Sequence, residues 1–141
     1  MNDKHISPAE REVMRVVWST HPITSKDIFE VLKDKTEWKM ATTKTLIGRL
    51  VKKGVLTTEA VGRRFEYSPA VTEEETIKES SNDLLNQICT KKVGETIYMM
   101  LEDSTVSVDD LKALERLIQK KKQTAPKVVA CDCVIGQCTC E

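Results

Sequence analysis

Aromatic side chains are scarce, with two each of Phe, Trp and Tyr making up 4% of 141 residues. A core must therefore be assembled from Leu, Val, Ile and Met. Histidine occurs only as His5 and His21. No nucleophile, base and orienting group stand together, so the chain is read as not an enzyme. No apolar run approaches the roughly 20 residues that span a bilayer. The opening MNDKHISPAE lacks the apolar stretch of a signal peptide. A cytoplasmic protein with no membrane association is expected. There is no internal repeat and no long low-complexity segment.

Net charge is also lacking, since 22 basic residues balance 22 acidic ones. The balance is uneven along the chain: residues 1–70 carry +4, residues 71–125 carry −3 and the last sixteen −1. Between residues 39 and 64 there are seven cations and a single acid, Glu59. A basic surface on a neutral protein points to a polyanionic partner, although a charge run is more often a solvated face.

What is present reads as punctuated helices. Ser7-Pro8-Ala9-Glu10 is a helix start: Ser7 caps, Pro8 fits the first turn and Glu10 completes a capping box. Val13, Met14, Val16, Val17 and Trp18 give one apolar face through Ser19, and His21-Pro22 ends it. Ile23 is expected to make a brief extended contact. Thr24 or Ser25 caps a second helix whose apolar face is Ile28, Phe29, Val31 and Leu32, and Lys33 to Trp38 reads as a polar turn. A third helix is predicted from about Met40 to Lys53, burying Leu46, Ile47, Leu50 and Val51, with Gly54 as its stop. Val55 to Ala60 and Phe65 to Tyr67 read as two strands around Gly62-Arg63-Arg64.

Three helices followed by a hairpin is the order of a winged helix-turn-helix. The expected fold class is mainly α with a small β-hairpin. It comprises a winged-helix DNA-binding domain over residues 1–70, a helical dimerisation region over 71–122, and a linker with a cysteine-rich metal-binding tail over 123–141. In the middle region Thr72 with Glu75 and Ser107 with Asp110 open helices, and a shorter helix runs from about Val93 to Leu101. Ile77, Leu84, Leu85 and Ile88 form one stripe, and Val108, Leu111, Leu114, Leu117 and Ile118 another. So small a segment has difficulty burying its own apolar faces. Pairing with a second copy is the economical solution, against the alternative that these helices fold back on the N-terminal domain.

Met40 to Leu50 divides its labour: hydroxyls and one cation lie in the first turns, and the apolar stripe lies later. A helix that reads double-stranded DNA needs this arrangement. The candidate DNA-binding residues are Thr42, Thr43, Lys44 and Thr45 on its first turns, then Arg49, Lys52 and Lys53 for phosphates, with Arg63 and Arg64 at the wing tip.

Four of the five cysteines crowd the last residues as Cys131-x-Cys133, four residues, Cys138-x-Cys140. In a reducing cytosol clustered cysteines are metal ligands more often than disulfides. Gly136 lets the two pairs turn toward each other. Four sulfurs without histidine suit one tetrahedral Zn(II) or two bridged Cu(I) ions per chain. The tight Cys-x-Cys pairs tilt the choice toward copper(I), and Val128, Val129, Val134 and Ile135 are expected to give a partly dry shell. Four thiolates total −2 with one Zn(II) and −2 again with two Cu(I). Cys89 stands alone and reads as a buried core thiol.

The residues Ser7 to Trp18 and the stretch WKMATTKTLIGRLVKKG over Trp38 to Gly54 resemble the penicillinase repressors of the BlaI/MecI family. The tail resembles that of their copper-responsive, CopY-type branch. The resemblance implies a homodimer on an inverted-repeat operator of a copper-homeostasis operon, repressing in the zinc form and released when Cu(I) displaces zinc. It also implies DNA contacts at Thr42, Lys44, Thr45 and Arg49. A copper chaperone is a further expected partner, as metal donor. Arg11 departs from the family pattern, where an aromatic residue is frequent. The competing readings are a repressor of this fold answering another signal, such as β-lactam-triggered cleavage, and a copper- or zinc-buffering protein. Cleavage needs no thiols, and buffering needs no recognition helix.

Overall fold

The computed structural model describes residues 5–137. The chain forms two compact units divided between Ser80 and Ser81.

The first unit begins with α1, Pro8–Ser19. The Ser7 hydroxyl accepts from the Glu10 backbone N–H at 3.1 Å, and the Ser7 N–H donates to Glu10 Oε1 at 3.2 Å, so the capping box is closed in both directions. β1, Ile23–Thr24, leads into α2, Ser25–Thr36, whose cap is Thr24: its hydroxyl accepts from the Asp27 N–H at 3.2 Å. The expected polar turn from Lys33 is shorter than the sequence indicates. Lys33 and Lys35 oppose the negative end of the helix and let it run to Thr36, and Glu37 ends it in the left-handed region at φ 59°. Val31 is also corrected, being 59% exposed, because the buried face of α2 is centred on Ile28 and Leu32.

α3, Met40–Lys52, sends Leu46, Ile47 and Leu50 into the core, and Gly54 takes φ 80° just beyond its end. β2, Leu56–Val61, and β3, Arg64–Pro69, form the wing, with Val61 opposite Arg64. The two-residue loop has Gly62 at φ 65° in its first position, the place where a tight hairpin demands a glycine. Arg64 therefore belongs to the strand rather than the turn. β1 adds to the outer edge of β3 through Ile23 opposite Tyr67, giving the antiparallel order β1-β3-β2.

One core holds these parts together. Val13, Met14, Val17, Ile28, Leu50 and Val55 are fully buried, and Ile6, Ile23, Leu32, Leu46, Ile47 and Leu56 nearly so. It contains no buried aromatic ring, as the composition requires; Trp18, Trp38 and Tyr67 lie at its margin. Trp18 Nε1 donates to the Val71 carbonyl at 3.0 Å. Arg11 fills its unusual place by lying over the Trp18 ring, 5.9 Å from its centre, and by donating to the Thr76 hydroxyl at 3.2 Å. The Arg11–Thr76 contact ties α1 to the start of α4, Glu73–Asn86, within the first unit.

The second unit takes the rest of α4, a 3-10 turn at Thr90–Lys92, α5 at Val93–Asp103 and α6 at Val108–Lys122. Ser107 caps α6 by accepting from the Asp110 N–H at 3.1 Å. Neither α5 nor α6 has a buried residue. Ile97, Met99, Met100, Leu117 and Ile118 all stand about half exposed on this single chain. No helix among the described residues is long and apolar enough to cross a membrane.

The polar lock at the base of the first unit is Glu10, nearly inaccessible, with Lys53 Nζ 2.8 Å from its Oε1. Burial by itself pushes the Glu10 carboxyl up. The Lys53 ammonium and the Ser7 donors outweigh it and hold the group below its ordinary 4.5. A carboxylate lowered in this way stabilises the fold above its unfolded pKa, and the contribution disappears as pH falls through the folded value. Lys53→Met leaves that charge buried and uncompensated and is expected to cost about 3 kcal/mol at neutral pH. Denaturant unfolding along a series of pH values from neutral downward checks this: the deficit must shrink as Glu10 protonates.

Candidate nucleic-acid interface and thiol cluster

The outward side of α3 is fixed by its inward side. With Leu46, Ile47 and Leu50 in the core, helical phase leaves Thr42, Lys44, Thr45, Gly48, Arg49 and Lys52 exposed. The N-cap position is Lys39, which supplies no side-chain acceptor, so the first N–H groups of α3 are left to outside acceptors. Thr45 Oγ1 donates to the Ala41 carbonyl at 2.9 Å, which ties down its hydroxyl.

Two of the nine positions singled out in the sequence do not belong to this surface. Thr43 is completely buried, with its hydroxyl lacking a hydrogen-bond partner among the described residues. It shares the phase of Leu46, Ile47 and Leu50, and sequence reasoning misplaced it by counting hydroxyls rather than faces. Lys53 is three-quarters buried, and its ammonium donates to Glu10 Oε1 and to the His5 carbonyl, each at 2.8 Å. It is a structural cation.

A groove of 820 Å³ runs between α3 and the wing and reaches the start of α2. Lys44, Arg63 and Arg64 line it, as does Lys26, a cation the sequence reading passed over. Lys26 sits in the first turn of α2 beside its cap, Thr24, and a helix start is a recognisable anion-facing position. Gly48 also lines the groove, with no atom within 4 Å of where a Cβ would stand, and Phe65 lies there 56% exposed. This is an open surface of four cations against the single acid Asp27, with hydroxyls and the rings of Phe65 and Tyr67, suited to a polyanion's backbone and unlike a closed small-molecule pocket.

The second unit holds a different chemistry. The sulfurs of Cys89, Cys131 and Cys133 all lie within 4.8 Å of one another. Cys89 Sγ is 3.5 Å from Cys131 Sγ, and the Cys133 N–H donates to Cys131 Sγ at 3.3 Å. Beyond them Gly136 takes φ 88°, and the Gln137 N–H returns to the Val134 carbonyl at 3.1 Å, so the chain does turn where the sequence places its bend. Cys138 and Cys140, the other two expected ligands, lie outside the described residues. The expected dry shell is corrected: Val128, Val129, Val134 and Ile135 point to solvent. The tail is fastened by polar contacts to Thr90, which leave its apolar side chains uncovered. Cys89 is buried as expected, but beside the tail rather than in the core. Clustered sulfurs without histidine are a donor set for soft metal ions.

The family model described as penicillinase repressor matches residues 6–120. A 16.5 kDa protein in the ptsI 3′ region of Latilactobacillus sakei is 43% identical over 99% of this chain and 96% of its own length. The penicillinase repressor of Bacillus licheniformis is 30% identical over 83% of this chain and 91% of its own. The solution structure of the DNA-binding domain of the repressor BlaI is 36% identical, with a TM-score of 0.48, over 51% of this chain and 88% of that one. With the model covering both the helical head and most of the helices behind it, the chain belongs to the penicillinase repressor (BlaI/MecI) family, whose members are transcriptional repressors and not enzymes.

Proposed function

We propose that this chain is a copper(I)-responsive transcriptional repressor acting in the cytoplasm. It grips operator DNA as a homodimer and loses that grip when Cu(I) displaces Zn(II) from its tail. The observation that carries the metal-responsive part is the gathering of tail sulfurs in a protein of this family: Cys131 and Cys133 lie with a third sulfur inside one ligand-sized cluster. A proteolytically triggered repressor has no use for such a cluster, and a metal store has no use for the exposed face of α3.

On DNA, the first turns of α3 enter the major groove. The methyl groups of Thr42 and Thr45 meet thymine methyls there, and Lys44 serves a phosphate or one base acceptor. Arg49 and Lys52 hold phosphates along the helix, and Arg63 and Arg64 hold them from the wing. Pairing of two copies through residues 71–122 covers the half-exposed apolar residues of α5 and α6 and presents two heads to the two halves of an inverted repeat.

At the tail, Cys131, Cys133, Cys138 and Cys140 hold one Zn(II) or two Cu(I) ions per chain, which supply a positive centre that draws thiolates together. Both loaded forms total −2 at the four thiolates, so the signal is the arrangement of the tail rather than its charge.

Two measurements test this reading. In a salt titration of dimer binding, replacing Arg63 and Arg64 by alanine must flatten the log–log slope by about 3.6, at about 0.9 per phosphate contact and two such contacts from each head. Thr43→Val must leave both slope and affinity unchanged, because that side chain faces the core. In a mobility-shift assay on a copper-operon promoter fragment, the zinc-loaded protein is expected to retard DNA and the copper(I)-loaded protein to release it. Equal retardation by both, or copper release that persists after all four tail cysteines become serine, overturns the proposal.

A further inference from the structure

We propose that Cys89 is a metal-binding residue whose sulfur joins Cys131 and Cys133 on the soft metal ion, so that the site clamps the tail to the end of α4. The inference rests on the metal-responsive reading above and changes one ligand in it: Cys89 takes the place of one of the four tail thiolates, so the set stays at four sulfurs.

Forty-two residues separate Cys89 from Cys131, yet three successive tail residues meet the Cys89-Thr90 pair. The Thr90 hydroxyl donates to the Ala130 carbonyl at 2.6 Å, the Thr90 N–H donates to Asp132 Oδ1 at 3.1 Å, and between them Cys131 Sγ lies 3.5 Å from Cys89 Sγ. That distance is far beyond the roughly 2.05 Å of a disulfide. Zinc–sulfur bonds of about 2.3 Å in a tetrahedron place neighbouring sulfurs about 3.8 Å apart. The three sulfurs here, within 4.8 Å of one another, are spaced for ligands of one ion.

The surroundings are also wrong for a core thiol. Cys89 does not join the hydrophobic core cluster, and it lines a mostly polar cavity of 380 Å³ together with Asn86, Gln87, Ile88, Lys92, Asp132 and Gln137. The consequence is mechanical. A tail that held metal with its own cysteines alone would be joined to the end of α4 only through its hydrogen bonds to Thr90. With Cys89 as a ligand, occupancy and coordination shape pull directly on the residues that close α4, Asn86 to Cys89. α4 begins in the first unit and ends in the second, so the metal acts on the one helix that the two units share.

The test uses the full chain with Co(II) as a spectroscopic probe of the zinc site, comparing wild type with Cys89→Ser. The variant is expected to lose about one quarter of a four-sulfur charge-transfer intensity and to bind at least about tenfold more weakly. Hydrogen exchange on the wild type reads the same claim without a variant: metal must slow the amides of residues 86–92. Identical intensity and affinity in Cys89→Ser, no slowing at residues 86–92, or recovery of Cys89 and Cys131 joined as a disulfide each overturn the inference. If wild type takes up no Co(II), the metal-responsive reading falls with it. If wild type binds and Cys89→Ser is indistinguishable, only the role of Cys89 falls.

Discussion

Everything the first unit presents to a partner depends on how α3 is held from behind. Its inner face is committed to the core through Thr43, Leu46, Ile47 and Leu50, and its end is pinned where Lys53 meets the buried Glu10. Glu10 also completes the capping box that Ser7 opens at the start of α1. One carboxylate thus closes the start of one helix and anchors the end of another, and it fixes which residues of α3 face outward. A rigid helix with a defined rotation is what base recognition requires, because a turn of the helix by one position would put Thr43 and Leu46 where Thr42 and Thr45 stand.

The wing and the start of α2 complete that surface at little structural cost. A two-residue hairpin with Gly62 at its first position places Arg63 and Arg64 at the tip of a stiff ribbon, and β1 braces β3 from its other edge. Lys26 reaches the same groove from the first turn of α2. The second unit is organised differently. Its helices bury little within a single chain, and its tail is fastened by hydrogen bonds and sulfur contacts rather than by apolar packing. A segment so weakly committed to one arrangement is suited to adopting another when its ligands change, and it is also suited to a partner that covers its exposed methionines and leucines.

The parts of this architecture that were legible in the sequence are those with local causes. Ser7 with Glu10, Thr24 before Asp27 and Ser107 before Asp110 announce helix starts because caps act across three residues. Gly54 and Gly62 announce the helix stop and the hairpin because only glycine enters those backbone regions cheaply. The errors have long-range or phase-dependent causes. Thr43 looks like its neighbours Thr42 and Thr45 until the core fixes the rotation of α3. Lys53 reads as a surface cation until Glu10, 43 positions away, is seen beside it. Val31 lies at the margin of the α2 face, where one-dimensional periodicity does not decide. Cys89 offered no signal, since a sulfur with no neighbour in sequence gains its meaning only when the tail returns to it.

The central claim is that one event, exchange of the ion at the tail thiols, governs release from DNA. The direct measurement is a copper(I) titration of the zinc-loaded protein on labelled operator, with liberated zinc followed by a chromophoric chelator and bound DNA by fluorescence anisotropy in the same cuvette. The account predicts that zinc and DNA are lost along the same titration curve. Operator that stays bound after all the zinc has left would contradict it.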